Sequence, residues 1–530
     1  MLVGFVSDER YVALADVLLE FLDGRGNSFE ARSRASGSVH ADLPAGDYRV
    51  ILQKPGFGAK FSRITIPQAG PHQFRLLSDG LLGYAWPKWV RGGEESEFRV
   101  HAVEQYQLEL WRYGDRPELV RQLGWHDEHG PRATMQVTPD GDYTRAGIEW
   151  NKVGYVSPTH RQFATAPDRS GLYYFRARTA SGREFSFPWI VAPAKPAASL
   201  AVLASNITWN AYNSFGGRSN YIHADQLPAT PTVNSRVELP RYTDAEHGTW
   251  GYPGYAPLSF ERPEPFLHIA SGEQLTDPIA GRQTCHLAPA EWRLLGWLEQ
   301  QRLGYDYYAE TQLDDGTLDL SAYRVLALAV HPEYWTRRMY DRVKKWVFEE
   351  GGRLVYLGGN GLNCEVEIHP NGSMTVHNGN ITSLWAAGMG GRDSRLAMRH
   401  ESEASLLGVV FTPPGAMTGA PYRVVDGSHW VFEGTGLSTG DVFGKASLHE
   451  RCPGGASGHE TDKRSASSPA STRLLARGLN PDDGGAEMVI FDTAGGGGVF
   501  SVGSINYVAS LPVDEAVSRI TANVLKRFLS

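Results

Sequence analysis

The feature that most constrains the fold is a strand–helix–strand segment between residues 324 and 357. Arg324–Val330 and Arg353–Leu357 are almost continuously apolar, and the stretch between them has a helical pattern that runs through Tyr340–Glu349. Strands without polar alternation are buried on both faces, and a helix that joins two of them is the usual connection between parallel strands. The segment therefore predicts an open parallel sheet with helices on both sides.

The same pattern continues on either side of this segment. Ser199–Ala204 is another apolar run, and Pro289–Arg302 has apolar residues along one helical face. Near the end of the chain, Val499–Val502 has the pattern of a strand and Asp514–Leu529 that of a closing helix. We therefore predict that residues 196–530 form one α/β domain with a doubly wound, mostly parallel sheet.

The residues upstream have the pattern of β structure. In residues 1–77, alternating strands surround the turn Pro44–Asp47, and this segment resembles a small sandwich of the transthyretin or carboxypeptidase-regulatory type. Residues 78–195 contain further short strands, among them Ser170–Ala177, and end in a proline-rich linker. We predict two β-sandwich-like domains here, which act as scaffold or docking modules.

Length, composition and charge narrow the class of protein. At 530 residues the chain is long enough for about three domains, and its 41% apolar and 21% charged residues are typical of a globular protein. A net charge of −8 without long like-charged runs argues against nucleic-acid binding. No run of about 18 apolar residues occurs, so we predict no membrane-spanning helix.

Cysteine usage and the amino-terminal sequence bear on the compartment. Cys285, Cys364 and Cys452 are far apart and odd in number, which argues against a disulfide framework and fits a reducing environment. Residues 1–8 lack the basic and apolar regions of a secretory signal. We therefore predict a cytoplasmic protein.

Polar side chains follow several of the predicted strands. In open parallel sheets, ligands bind beyond the carboxyl ends of the strands. His331 and Glu333 directly follow one buried strand, Asn360 follows the next, Asn206–Asn213 follows the first, and Gly503-Ser504 follows the last. The sequence thus predicts a site at this edge that contains histidine, glutamate, asparagine and tyrosine side chains.

Several common catalytic motifs do not occur in the sequence. It has no Gly-x-Ser-x-Gly elbow, no His-Glu-x-x-His pair, no Walker loop and no Cys-x-x-Cys pair. Cys364 lies near the end of the loop that follows the second central strand, which keeps a cysteine-dependent amidase open as an alternative, although a buried structural cysteine is the simpler interpretation. A third hypothesis is a protein whose β domains bind a glycan or other polymer and whose α/β domain is degenerate.

Six short motifs then occur in order: Ile207–Asn213, Leu258–Pro263, His331–Trp335, Leu357–Asn360, Ser457–Glu460 and Phe500–Ser504. Together they resemble the large (beta) subunit family of N,N-dimethylformamidase, through its C-terminal domain. The resemblance implies a glutamine-amidotransferase-like fold and hydrolysis of the C–N bond of a small N-substituted amide. It also implies one iron ion (Fe³⁺) per chain, bound by two tyrosinates and one carboxylate.

The resemblance assigns metal ligands residue by residue. Glu333 matches the carboxylate ligand, and Tyr212 matches the first tyrosine. The second tyrosine matches Tyr252 or Tyr255, with the spacing in favour of Tyr252. Phenolate and carboxylate oxygens are hard anionic donors, which suits a ferric ion better than the nitrogen and sulfur donors that zinc prefers.

The resemblance also assigns residues around the metal. His331 matches a histidine beside it, and Glu460 matches an acidic residue that acts with this histidine in proton transfer. Asn360 is interpreted from its position as a residue that holds the carbonyl oxygen or orients the substrate. The remaining candidates are interpreted as packing, structural or loop residues: Tyr334, Trp335, His223, His268 and His286.

Family resemblance favours a homo-oligomer and allows a small accessory subunit, with a small-molecule amide as substrate. Two departures leave the exact amide open. The chain is shorter than the large subunits of that family, and its His-Pro-Glu-Tyr-Trp pentapeptide differs from the His-Asp-Glu-Tyr-Trp form found in parts of it.

Overall fold

A computed structural model describes most of the chain, namely residues 1–126, 135–136, 138–148, 150, 162–233, 254–279, 285–377 and 395–530. Within these residues the protein is a mixed α/β molecule, with a large sheet in its second half and several smaller β-sheets before it. No helix in this part of the chain is long and apolar enough to span a membrane.

The described residues up to 192 fold mainly as strands, and many of these strands alternate between buried and exposed positions, as in β5 and β6. Their elements are β1 (Leu2–Ser7), β2 (Leu18–Asp23), β3 (Ser28–Arg32), β4 (Ser38–His40), β5 (Gly46–Lys54), β6 (Gly58–Ile66), β7 (His72–Arg75), β8 (Leu81–Trp86), β9 (Trp89–Arg91), β10 (Glu95–Ala102), β11 (Tyr106–Tyr113), β12 (Pro117–His126), β13 (Met135–Gln136), α1 (Tyr143–Ala146), β14 (Phe163–Thr165), β15 (Gly171–Thr179) and β16 (Glu184–Ala192). They form four sheets, in the orders β4-β1-β7, β13-β6-β5-β2-β3, β14-β10-β8 and β12-β11-β15-β16-β9.

The second half alternates strands and helices. Its elements are β17 (Leu200–Ala204), α2 (Asn206–Tyr212), β18 (Leu258–Ser259), α3 (Ala288–Gln300), β19 (Asp306–Ala309), α4 (Glu310–Asp315), β20 (Val325–Val330), β21 (Tyr334–Trp335), α5 (Arg337–Glu349), β22 (Arg353–Gly358), β23 (Cys364–Ile368), β24 (Ser373–His377), α6 (Ala404–Leu407), β25 (Val410–Thr412), β26 (Gly419–Ala420), β27 (Tyr422–Val424), β28 (Val442–Phe443), β29 (Ser457–Gly458), β30 (Thr461–Lys463), β31 (Arg473–Gly478), β32 (Glu487–Asp492), β33 (Gly498–Ser501), α7 (Tyr507–Ser510) and α8 (Glu515–Leu529). Single 3₁₀ turns lie at Pro265–Leu267, Leu320–Ala322 and Trp430–Phe432.

The large sheet has the order β19-β17-β20-β22-β33-β32-β31-β27-β28. The first five of these strands are parallel, and the last four extend the sheet in antiparallel fashion. A smaller sheet, β18-β24-β23-β21, includes the two residues of β21 that follow the end of β20. The prediction of an α/β second half preceded by β structure is confirmed at this level.

The central strands are buried on both faces, as their continuous apolar pattern predicts. In β17, Leu200 and Val202 belong to one apolar core, which includes α3 and α8, whereas Ala201 and Leu203 belong to another, which includes α5. Side chains alternate between the two faces of a strand, so each strand contributes to both cores. The predicted domain boundaries at residues 77 and 195, and the two sandwich assignments, stay predictions.

Candidate functional site

Side chains from two strand-end segments meet at the carboxyl edge of the large sheet. Tyr212 ends α2, which follows β17, and His331 and Glu333 follow β20. The Tyr212 hydroxyl lies 3.4 Å from Glu333 Oε2 and 3.5 Å from His331 Nε2. His331 Nε2 is 3.0 Å from the same carboxylate oxygen. The structure therefore brings these three predicted site residues together, and their catalytic and metal-binding roles stay predictions.

Glu460 lies near the same imidazole, and Asn360 is hydrogen-bonded to Glu460. Glu460 Oε2 is 3.8 Å from His331 Nε2, and Asn360 Nδ2 donates to this Glu460 oxygen at 2.8 Å. The carboxylate of Asp462 accepts from the backbone N–H of Asn360 at 2.8 Å and holds the loop. Gly359 allows the close approach, because a Cβ there would lie 2.4 Å from the carbonyl oxygen of Glu460.

The backbone is strained at three positions that border this cluster. Val330, Asn360 and His459 have φ angles of 62°, 49° and 65°, in the left-handed region. A β-branched residue is a rare occupant of this region, and Val330 directly precedes His331. Such strain persists only where surrounding contacts impose it, and it concentrates at functional sites. The backbone thus supports the same edge of the sheet as the place of function.

The charges of the cluster are set by burial and by its own ion pair. Burial alone would lower the pKa of His331, but Glu333 and Glu460 outweigh it and raise the pKa to about 9. Burial would raise the pKa of Glu333, yet His331 and the Tyr221 hydroxyl lower it overall. Burial, aided by the charge of Glu333, raises the pKa of Glu460. At neutral pH the site therefore holds an imidazolium, an ionised carboxylate and a second carboxyl group with a raised pKa.

Tyr221 belongs to this cluster and was missed in the sequence. Its hydroxyl lies 2.7 Å from Glu333 Oε2 and 2.6 Å from the Tyr334 hydroxyl, and its ring centroid is 4.3 Å from that of Tyr212. Asn220 Nδ2 donates to the Tyr334 hydroxyl at 2.7 Å. We predicted that Tyr334 packs at the start of the next helix, whereas it lies in β21 and makes these polar contacts. The loop that carries Tyr221 has no periodic pattern, so a second tyrosine shortly after the Tyr212 motif was the only signal.

A second buried group lies beside the first and consists of Cys285, His286 and His459. Their ligand atoms lie within 4.8 Å of one another, so this group could hold a metal ion. The His286 ring also packs against Tyr212 and His331, with centroids 4.8 and 5.3 Å apart. The sequence interpretation of His286 as a structural or loop residue missed this position between two sets of possible ligands, because the segments meet only in the fold.

Hydrogen bonds determine where His459 carries its hydrogen. The backbone N–H of Cys452 donates to His449 Nδ1 at 3.1 Å, and His449 Nε2 lies 3.2 Å from His459 Nδ1. Burial lowers the pKa of His449 to about 3 and that of His459 well below its usual value, so both rings are neutral at pH 7. A neutral imidazole that accepts at one nitrogen carries its hydrogen on the other. His449 therefore donates to His459 Nδ1, and the hydrogen of His459 lies on Nε2.

The second tyrosine predicted as a ligand is Tyr252 or Tyr255. Tyr252 lies outside the described residues, and Tyr255 lies half-buried shortly before β18. The choice between them stays a prediction. Among the described residues, the tyrosines within hydrogen-bonding distance of Glu333 are Tyr212 and Tyr221.

Cys364, the alternative nucleophile, is the first residue of β23 and is fully buried. Burial raises the pKa of its thiol to about 12, in spite of the nearby Arg395. A thiol with such a pKa is almost entirely protonated at pH 7, and the thiolate is the form that attacks. Its backbone N–H donates to the carbonyl oxygen of Glu333 at 3.1 Å. This environment suits a residue that supports the site better than a nucleophile.

Arg262, from the Leu258–Pro263 motif, holds the loop that follows α2. Its side chain is completely buried and donates to three backbone carbonyl oxygens of this loop, those of Asn213, Phe215 and Arg218. Burial lowers the pKa of Arg262 to about 9. A guanidinium with several donors in a fixed plane can tie several carbonyl groups together. The clamp therefore fixes the chain immediately beyond Tyr212.

The chain is thus an α/β protein with a cluster of tyrosine, glutamate and histidine side chains at the carboxyl ends of its parallel strands. The sequence model of one family, described as N,N-dimethylformamidase beta subunit-like, C-terminal, matches residues 107–520. The chain belongs to this family, which confirms the resemblance. Residues 1–106 lie outside the match.

Two curated relatives are similar to the chain. The N,N-dimethylformamidase beta subunit of Paracoccus aminophilus is 28% identical over 425 residues, which cover 69% of this chain and 53% of that relative. The protein of the same name from an Alcaligenes species is 30% identical over 285 residues, or 46% of this chain and 37% of that relative. The chain thus spans about half, or less, of the length of these relatives.

Among solved structures, a DUF3823 family protein from Bacteroides ovatus ATCC 8483 matches 35% of this chain and 98% of its own length, at 12% identity and a TM-score of 0.13. The major pilin subunit BcpA of Bacillus cereus matches 38% of this chain and 71% of its own, at 9% identity and a TM-score of 0.14. Scores this low carry no argument about fold or function.

Proposed function

We propose that this protein hydrolyses the C–N bond of a small amide, with a ferric ion bound at the carboxyl edge of the large sheet. The observation that carries the proposal is the contact of the half-buried Tyr212 phenol with the buried Glu333 carboxylate, beside the imidazolium of His331. The relatives are named N,N-dimethylformamidase, so small N-substituted amides are the substrates to test first.

The chemistry of these residues fits a hard trivalent cation. Tyr212, Glu333 and either Tyr252 or Tyr255 would supply three negative charges, which balance one ferric ion. Glu333 Oε2 has all the described hydrogen bonds of this carboxylate, and within the described part of the chain Oε1 has none. Oε1 is therefore the oxygen available to a cation. A bound ferric ion supplies Lewis acidity, which polarises a carbonyl group and acidifies water.

His331 and Glu460 are suited to move protons during hydrolysis. The raised pKa of Glu460 makes its carboxylate basic enough to accept a proton from the attacking water. The protonated His331, whose pKa is about 9, can donate a proton to the departing amine. Their side chains are 3.8 Å apart, so a proton taken up by one can be restored from the other. This assigns the base to Glu460 and the acid to His331.

Asn360 presents a free acceptor to the site. Its Nδ2 already donates to Glu460, whereas its Oδ1 is buried and has no hydrogen-bond partner among the described residues. An orphaned carbonyl oxygen of this kind is costly unless a ligand or water binds it. We therefore assign Asn360 Oδ1 as an acceptor for an amide N–H group of the substrate or for the attacking water.

The group of Cys285, His286 and His459 is the alternative place for a metal. Its thiol and imidazoles would favour a softer cation, such as zinc, over a ferric ion. The hydrogen bonds that run from the Cys452 N–H through His449 to His459 leave a hydrogen on His459 Nε2. This hydrogen has to leave before Nε2 can bind a metal ion. These two points favour the oxygen ligands around Glu333.

The relatives are named beta subunits, which implies association with another subunit in those proteins. We propose that this chain likewise forms an oligomer and accepts a small partner. Light scattering of the purified chain, alone and after co-expression with its genomic neighbours, measures this association.

The experiment that tests the function combines metal analysis, spectroscopy and activity. Protein expressed with added iron should contain about one iron per chain, show a visible phenolate-to-iron charge-transfer band, and release amines from a panel of formamides and acetamides. Glu333→Gln should lose the band and the activity, whereas Cys285→Ser should keep both. Colourless, iron-free and inactive wild-type protein would refute the proposal, and loss of iron only in Cys285→Ser would assign the metal to the other group.

A further inference from the structure

A chain of buried hydrogen bonds leads to one oxygen of Glu333. It runs from Asn220 Nδ2 to the Tyr334 hydroxyl (2.7 Å), from there to the Tyr221 hydroxyl (2.6 Å), and on to Glu333 Oε2 (2.7 Å). All four residues are buried. The backbone N–H of Asn220 donates to the carbonyl oxygen of Ala211, which ties the chain to the helix that carries Tyr212.

The number of hydrogens on each group determines which group donates and which accepts along this series of hydrogen bonds. An amide nitrogen only donates, so the Tyr334 oxygen accepts from Asn220. The single hydrogen of Tyr334 is then free for the Tyr221 oxygen, and the single hydrogen of Tyr221 is left for Glu333. Each of these three contacts thus receives one hydrogen. With the opposite orientation of the Asn220 amide, Tyr334 would donate to its oxygen, and either the Tyr334–Tyr221 or the Tyr221–Glu333 contact would lack a hydrogen.

The chain acts on one carboxylate oxygen only. Glu333 Oε2 also faces His331 Nε2 at 3.0 Å and the Tyr212 hydroxyl at 3.4 Å, whereas Oε1 has no hydrogen bond within the described residues. The backbone N–H of Glu333 is fixed as well, since it donates to Thr208 Oγ1 at 3.0 Å. Glu333 is therefore held through Oε2 and its backbone N–H, whereas Oε1 is available to a ligand.

We infer that Asn220, Tyr334 and Tyr221 are positioning residues that orient Glu333 so that Oε1 faces the ligand. Tyr221 acts as a hydrogen-bond donor to the carboxylate and is not itself a phenolate ligand. The inference rests on the proposed function in one respect, the identity of that ligand as a ferric ion. The orientation of Glu333 is a property of the protein alone and can be measured without metal or substrate.

The molecule contains a matched control. The Tyr308 hydroxyl lies 2.9 Å from the Tyr323 hydroxyl, which donates to Asp306 Oδ2 at 2.9 Å. This is the same order of two phenols and a carboxylate, equally buried, and away from the site. The backbone N–H groups of Ala197 and Ala198 also donate to Asp306 Oδ2, so that carboxylate keeps its place when Tyr323 is altered.

The experiment compares Tyr221→Phe with Tyr323→Phe in the full chain. Ferric ion, supplied as its nitrilotriacetate complex, is titrated into metal-free protein, and crystal structures of both metal-free variants are solved. We expect Tyr221→Phe to raise the dissociation constant about 10-fold or more and Tyr323→Phe to change it less than about 2-fold. The charge-transfer band per bound iron should persist in Tyr221→Phe, and the Glu333 carboxylate should turn while Asp306 stays in place.

Two results would overturn the inference: unchanged affinity with an unmoved Glu333 in Tyr221→Phe, or loss of the charge-transfer band with iron still bound, which would make Tyr221 a ligand. Wild-type protein that binds no ferric ion refutes the proposed function instead, and the crystal structures alone then decide the positioning role. Tyr334→Phe, which leaves the Tyr221 donor in place, should weaken binding by about 3-fold. It replaces Tyr221→Phe if that variant does not fold, and binding equal to wild type would then overturn the inference.

Discussion

Two tyrosine–tyrosine–carboxylate chains lie at opposite edges of the large sheet. Asp306 opens β19, at the amino ends of the parallel strands, and its Oδ2 accepts from two backbone N–H groups as well as from Tyr323. Glu333 follows β20, at the carboxyl ends, and the partners of its Oε2 among the described residues are the side chains of His331, Tyr212 and Tyr221.

The difference lies in what holds each carboxylate. Backbone donors fix Asp306 to the segment that enters β17, so its loss should affect the folding of the whole domain. Glu333 is held by ionisable and hydroxyl-bearing side chains, next to a backbone strained at Val330. The same hydrogen-bonding pattern thus stabilises the fold at one edge and, under the proposed function, orients a metal ligand at the other.

The largest effect is expected from exchanging each carboxylate for its amide. Glu333→Gln should lower amide hydrolysis by about 10³-fold and abolish ferric binding, because the neutral amide neither binds the cation well nor pairs with His331. Asp306→Asn should leave the activity of the folded protein unchanged and lower the free energy of unfolding by about 2 kcal/mol, because the amide nitrogen faces backbone donors.

Turnover assays and denaturant unfolding of both variants measure this contrast. Glu333→Gln should unfold with a slope similar to that of the wild type, which shows that the fold is retained. Equal losses of stability in both variants, or a loss of turnover in folded Asp306→Asn, would break the contrast between the two edges.

The second largest effect, a fall in kcat of about 10²-fold, is expected for Glu460→Gln. Its amide can still accept from Asn360 Nδ2, so the loop should keep its place while the proton acceptor is lost. Steady-state kinetics should show a fall in kcat with little change in KM, and iron binding should be retained. A Glu460→Gln enzyme with wild-type kcat would move the role of base to another residue.

Acid should destabilise the carboxyl edge through its neutral histidines. Burial lowers the pKa of His449 from 6.5 to about 3 in the folded protein. An unfolded chain takes up this proton below about pH 6.5, so the stability due to the neutral ring is present above that pH and is lost as the pH falls toward 3. The loss is about 1.4 kcal/mol per pH unit, or about 2 kcal/mol at pH 5.

Between pH 7.5 and 5, the free energy of unfolding should therefore fall less steeply with decreasing pH in His449→Gln than in the wild type. Asp306→Asn should shift the whole stability curve downward and keep its slope, because the change lies at the other edge. Parallel curves for wild type and His449→Gln would contradict the assignment of acid sensitivity to this ring.

The smallest effect is expected for Cys364→Ser. Cys364 is buried with a thiol pKa of about 12, and it meets Glu333 through its backbone. Serine keeps the backbone contact and nearly the same volume, so turnover should stay within about 3-fold of wild type. Complete loss of activity in a folded, iron-loaded Cys364→Ser enzyme would favour the cysteine-dependent mechanism.

The sequence was sufficient for the sheet and for the residues that follow its strands. His331, Glu333 and Asn360 were found because apolar strands reveal the sheet, and parallel strands end at a common edge. The bounds differ by one to a few residues: the helix expected through Tyr340–Glu349 begins at Arg337. The antiparallel extension beyond β33 was not predicted, since its strands are short and separated by Gly- and Ser-rich segments.

The contacts between distant loops could not be derived in this way. Tyr221 meets Glu333 and His286 meets His459 only because irregular segments approach each other in space. Such segments have no periodicity that would show which side chain points inward. Tyr334 was assigned to packing because a two-residue strand has no recognisable pattern, although its hydroxyl proves to be part of the hydrogen-bond chain.

The buried Arg262 limits how the candidate site can be engineered. Its guanidinium connects three carbonyl groups of the loop after Tyr212, so an insertion or deletion there would break several bonds at once. Libraries that vary the length of this loop should yield mostly insoluble protein, whereas substitutions that keep its backbone should be tolerated. Directed evolution of the site is therefore better aimed at side chains around Asn360 than at the loop that carries the first tyrosine.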